Sequence, residues 1–130
     1  MFTLGLSQQG LMVFSSSSKK SEPRDLFPGA LEMMVLQSLL WQPMHGYALV
    51  QHIQRRSKDL LQVEEGSLYP ALQRMLKDGL VVAEWTISPT NRRVRTYRIT
   101  PAGKKHLKRE VSRFEEMLEG IALVLAPGTP

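Results

Sequence analysis

No cysteine occurs in the 130 residues. Disulfides, thiol nucleophiles and thiolate metal sites are therefore excluded together, and the chain suits a reducing cytoplasm. The three histidines, His45, His52 and His106, lack the clustered carboxylates that a metal site would need, so no metal is expected; His45 reads as a loop residue before Gly46. No apolar run reaches 18 residues, which argues against a membrane-spanning helix. No Gly-rich phosphate loop and no nucleophile–base pair is present, so neither an enzyme activity nor a cofactor is expected. Glu64 and Glu65 are adjacent carboxylates, but at a helix entrance they suit the N-terminal dipole better than acid–base work. Aromatic residues are only 7% of the chain. Trp41 and Trp85 are read as core anchors, with stacking on a planar ligand as the alternative.

One further absence is local. Between Thr86 and Arg109 there is no acidic residue, and there are eight basic ones: Arg92, Arg93, Arg95, Arg98, Lys104, Lys105, Lys108 and Arg109. That imbalance exceeds the net charge of the whole chain, +5. It is the electrostatic footprint of a surface that neutralises phosphates and releases their counterions. The competing explanation is a basic surface kept for solubility.

The segment before this run supplies a reason to prefer nucleic acid. Leu68, Leu72, Met75 and Leu76 recur at the i, i+4, i+7, i+8 spacing of one helical face, and Tyr69, Gln73, Arg74 and Lys77 fall away from it. Ser67 is a good N-cap, which puts Pro70 at the third helical position, and Gly79 is a C-terminal stop. From Leu80 to Ile87 the period changes to two, with Val81, Ala83, Trp85 and Ile87 on the expected buried face. Ser88 to Asn91 is a turn cluster, and Arg93 to Thr100 is a return strand rich in β-branched and aromatic residues. A helix with a free polar face thus leads into a hairpin with an arginine-rich tip.

With 42% hydrophobic content the chain supports one domain. Met1 to Phe14 are mildly apolar but lack the basic start of a signal peptide, and the serine-rich stretch to Pro23 reads as a polar linker, so residues 1–24 are expected to form a flexible tail. Residues 25–100 are expected to form the main domain. A first helix starts near Pro28 with Leu31, Met34, Val35, Leu36, Leu39 and Leu40 as a wide apolar stripe, and Gln42 to Gly46 breaks it. A second helix from about Tyr47 to Ser57 buries Leu49, Val50 and Ile53. Joined to the Glu64–Leu80 helix, it forms a helix-turn-helix. In residues 101–126, Thr100-Pro101 supplies an N-cap and first-turn proline. Leu107, Val111, Phe114, Leu118, Ile121 and Leu125 then recur at steps of 4, 3, 4, 3, 4, a heptad seam that homodimerisation would cover. The fold expected is α+β and mostly α: a winged helix-turn-helix of three helices and a two-stranded wing, followed by a long dimerisation helix.

Leu31 to Leu40, Met44-His45-Gly46-Tyr47, Glu65-Gly66-Ser67-Leu68-Tyr69-Pro70-Ala71-Leu72, Asp78-Gly79-Leu80 and Tyr97-Arg98-Ile99-Thr100-Pro101-Ala102-Gly103 resemble, in order and spacing, the PadR family of bacterial winged-helix transcriptional regulators. The resemblance covers roughly residues 26–118. It implies a homodimer whose recognition helices and wings enter successive grooves of a roughly palindromic operator on double-stranded DNA, usually to repress transcription, with the C-terminal helix mediating dimerisation. Having one such helix, the chain is similar to the family's shorter members. On this basis Tyr47, Ser67, Tyr69, Pro70, Gln73, Arg74 and Lys77 are expected at the DNA, with Gln73 and Arg74 nearest the base edges and Lys77 on phosphate. Arg92, Arg93 and Arg95 are expected on the backbone or in a narrow minor groove. A small hydrophobic or aromatic effector between the helices would bias two dimer geometries. The rival function is a winged-helix module that binds protein through the Leu118–Ala126 surface.

Overall fold

The computed structural model describes residues 29–128. The tail expected at 1–24 and Pro28 lie outside the described residues. The elements run α1 (Ala30–Trp41), β1 (Met44–His45), α2 (Gly46–Arg56), α3 (Glu65–Lys77), β2 (Val81–Ile87), β3 (Arg93–Ile99) and α4 (Pro101–Leu125). The strands form one antiparallel sheet in the order β1-β3-β2. This is a winged helix with a long C-terminal helix, as the sequence suggested.

α1 is the hub. It packs against α2, α3, α4 and β3, which explains why its apolar residues run nearly all round the helix. Val35, Leu36 and Leu39 meet Leu49 and Ile53 of α2, Leu68, Leu72 and Met75 of α3, Val81, Tyr97 and Leu107 in one core. Leu40 and Trp41 end the helix exposed, at 45% and 69%. Trp41 is thus no core anchor; its ring stacks on His52 of α2 with centroids 5.6 Å apart.

Three boundaries differ from the sequence expectation. Met44 and His45 form a short strand paired with Tyr97 and Thr96, so the wing's sheet has three strands, and two residues are too few to show a period of two. His45 also caps α2, its Nδ1 accepting the Ala48 N–H at 3.3 Å. α3 begins at Glu65 with Glu64 in the extended N-cap position. Pro70 is consequently the sixth helical residue rather than the third, inside the helix, where it removes the N–H that would bond the Gly66 carbonyl. The site tolerates it because Gly66 and Pro70 are both exposed and water can reach that carbonyl.

The end of α3 follows the sequence expectation closely. Gly79, at φ +74°, makes the left-handed turn, the Gly79 N–H bonds to the Leu76 carbonyl and the Leu80 N–H to the Met75 carbonyl, which is a Schellman closure. Thr100 then joins this end to α4: its N–H donates to Leu80 O at 3.0 Å, its Oγ1 donates to Gly79 O at 2.7 Å, and the same oxygen caps α4 by accepting the Gly103 N–H at 3.0 Å. A Cβ on Gly103 would overlap the Leu80 carbonyl oxygen.

The wing departs from its expected burial. Val81 and Tyr97 are buried, but Trp85 and Ile87 are 56% and 64% exposed. A seven-residue strand extends about 24 Å, and the helices cover only its first part. Burial pushes the Tyr97 phenol above its usual range, Arg95 pulling the other way and Tyr69 adding a smaller upward push.

Replacing Gly103 with alanine is expected to destabilise the protein by about 1–3 kcal/mol, because the new Cβ meets backbone that cannot swing aside; a melting temperature equal to wild type would contradict the close contact. At His52, partial burial, then Arg55 and Arg56, lower the imidazole pKa below 6.5. A depressed histidine leaves the unfolded chain binding the proton first, so the contribution is full above pH 6.5 and declines as pH falls below it. An NMR titration of His52 should give a midpoint under 6.5; one above it would mean that the Trp41 face outweighs burial and the arginines.

Candidate nucleic-acid interface

α3 buries Leu68, Ala71, Leu72 and Met75, which leaves the opposite face free. On a 100° wheel the middle of that face is Gly66, Pro70, Gln73 and Lys77, with Tyr69 on one flank and Ser67 and Arg74 on the other. Pro70, Gln73 and Lys77 are exposed, Tyr69 is 46% exposed, and Ser67 is half-buried. The flanks are held by neighbouring helices. Tyr69 lies over the start of α2, its hydroxyl 3.1 Å from where a Gly46 Cβ would stand, beside the exposed Tyr47. Arg74 donates from Nε to Glu32 Oε2 of α1 at 3.1 Å. The Gln73 side chain has no hydrogen-bond partner among the described residues.

The wing divides its charges between its two faces. On one, Arg98 pairs with Glu84 at 3.2 Å and Thr86 bonds Thr96 at 2.6 Å. On the other, Ile87 faces Arg93 and Trp85 faces Arg95 in the ladder, and the guanidinium carbons of Arg93 and Arg95 sit 4.5 and 5.9 Å from the Trp85 ring centroid. Among the described residues no carboxylate pairs with Arg92, Arg93 or Arg95. The acid-free run seen in the sequence is therefore reduced by one, because Glu84 sits just upstream of it and reaches Arg98 across the strands. Trp85, like Trp41 and Ile87 exposed rather than buried, is a residue that sequence reasoning misplaced. Counting cross-strand partners back from the Ser88–Arg92 turn would have found it opposite Arg95.

The seam on α4 is divided between two environments. Leu107 is 4% exposed within the protomer's own core, so it has no surface left for a partner, and Val111 packs against that core. Phe114 and Leu118 are half-buried. Beyond them Ile121 and Leu125 are 36% and 65% exposed, alongside Met117, Leu123 and Val124. No group of three or more metal-ligating side chains occurs among the described residues, and no described helix is long and apolar enough to cross a membrane.

The chain is similar to known proteins in sequence and fold. Residues 35–109 match the Transcriptional regulator PadR-like family. A transcriptional regulator of Mycobacterium tuberculosis is 33% identical over 94 residues, which is 72% of this chain and 84% of that one. An uncharacterized protein of Lysinibacillus sphaericus is 30% identical over 101 residues, 78% of this chain and 93% of its own. Among solved structures, a transcriptional regulator from Clostridium thermocellum superposes with a TM-score of 0.70 at 26% identity, covering 76% of this chain and 93% of that one. A PadR-like transcriptional regulator from Bacillus cereus does so at 0.66 and 25%, covering 78% and 96%. Matching that family over more than half of its length, this chain belongs to the PadR-like family of transcriptional regulators.

Proposed function

We propose that the protein is a homodimeric repressor that binds a roughly palindromic operator, α3 entering the major groove and the wing reaching the adjoining backbone or minor groove. The observation that carries this reading is that both the middle of the outer face of α3 and three wing arginines are left without a carboxylate partner among the described residues. Two copies joined through the exposed half of α4 would cover Ile121 and Leu125 and set the spacing of two half-sites. A small hydrophobic or aromatic effector that changes the angle between the copies would release the operator.

The roles on α3 follow the geometry. Gln73 stands at the centre of the outer face and is the base reader, its amide suited to adenine. Arg74 stands on the flank with its guanidinium drawn to Glu32, which favours a backbone role over the base-edge role that its residue type suggested. An exposed pair of this kind contributes at most about 1 kcal/mol, so phosphate can displace Glu32. Lys77, Tyr47 and Ser67 suit phosphate contacts, which set register, while Tyr69 and Pro70 shape the entrance of the helix.

A duplex from upstream of the protein's own gene should bind more tightly than an unrelated duplex, with log affinity falling linearly as log salt rises. Equal, salt-insensitive binding to both would favour the protein-binding alternative. Gln73→Ala should lose about 1–3 kcal/mol of discrimination at one operator position, and Arg74→Ala should weaken all duplexes alike. Glu32→Gln, which frees the guanidinium and removes a carboxylate near phosphate, should tighten all duplexes up to about fivefold; weaker binding would show instead that Glu32 aims Arg74.

A further inference from the structure

We propose that Trp85 is a positioning residue of the wing: its indole face holds the guanidinium groups of Arg93 and Arg95 together and aims them as one unit at the phosphates of a duplex. This rests on the DNA-binding reading above and adds a residue to it.

Burial does not explain Trp85. It lies on the face of β2 that covers the core at Val81, yet at its own height it is 56% exposed. What it does touch is charge. Arg95 is its partner across the ladder, Arg93 lies two residues along the same strand and so on the same face, and both guanidinium carbons are within the roughly 6 Å over which a cation is drawn to an aromatic face.

The arrangement solves a specific problem. Two arginines on one face of one strand repel each other, and each long side chain loses rotamer freedom when it grips a phosphate. A carboxylate at position 85 would gather them, as Glu84 gathers Arg98 on the opposite face, but it would also cancel the charge that the phosphates require. An aliphatic side chain would leave them loose. The indole attracts through its quadrupole and carries no net charge. Because a guanidinium stacks through its flat face, the N–H edges stay available for phosphate oxygens.

The test uses the full chain and the upstream duplex across a series of salt concentrations. Trp85→Leu should weaken binding about three- to tenfold, with the slope of log affinity against log salt unchanged because both charges remain. Trp85→Phe should restore most of the loss. In an Arg93→Ala/Arg95→Ala background, Trp85→Leu should have less than about a twofold effect. A loss undiminished in that background would overturn the proposal, since the indole would then be touching DNA itself or only supporting the strand. A second readout needs no DNA. With Trp41→Phe, Trp85 is the sole tryptophan, and removing both arginines should shift its emission in the free protein; unchanged emission overturns the proposal. A wild-type chain without salt-dependent duplex affinity would sink the DNA-binding reading, while the emission measurement would still decide whether Trp85 gathers the arginines.

Discussion

The junction of Thr100 with Gly79 and Leu80 is the constraint on which the rest of the molecule depends. Within a few ångströms it gathers the C-terminal end of α3, the root of β2, the end of β3 and the first turn of α4. Thr100 donates from its backbone to Leu80 O and from its hydroxyl to Gly79 O, and the same hydroxyl caps α4 through the Gly103 N–H. Two glycines make this possible for different reasons. Gly79 supplies a left-handed backbone, and Gly103 supplies the absence of a Cβ where α4 crosses the Leu80 carbonyl. α3, the wing and α4 therefore leave one point in fixed directions. A shift of α4 would be carried to α3 through hydrogen bonds at that point, without a flexible linker to absorb it.

Around this junction the surface is partitioned by charge and polarity. α3 offers neutral or singly charged groups at its centre, whereas its flanks are occupied by Tyr69 over Gly46 and Arg74 on Glu32. The wing is neutralised on one face and basic on the other, because the alternation of a strand sends Arg98 to Glu84 and sends Arg93 and Arg95 to Trp85. Alternation along one short hairpin is enough to separate the two faces. A helix of 25 residues runs about 37 Å, more than this core can cover, so the last turns of α4 leave it with their apolar residues exposed.

Periodicity was a good guide where one element met one surface. The buried side of α3, the Gly79 stop, the Thr100 cap with Pro101 and the hairpin all stood in the sequence, because each is governed by residues within a turn or two of one another. Reading was poorer where the number of covering elements mattered. The two residues of β1 carry no period, and their strand exists only because Tyr97 and Thr96 pass alongside. The alternation Val81, Ala83, Trp85, Ile87 is real, yet it buries only at its base because nothing packs behind the tip. The heptad seam is likewise real, but a uniform repeat could not reveal that Leu107 belongs to the protomer's own core while Leu125 is left bare.

The sequence by itself determined the kinds and order of the elements other than β1, the Gly79 stop, the Thr100 cap and the concentration of positive charge after Thr86, since these follow from local backbone preference and composition. Tertiary structure alone decided which charges remain available and which apolar residues remain uncovered. Glu32 and Arg74 are 42 residues apart in the chain, and Glu84 and Arg98 are 14 apart. Each pair is made by packing or strand register, and neither has a local signature. The basic run was divided only when the fold had paired Arg98 with Glu84 and set Arg93 and Arg95 against the Trp85 ring.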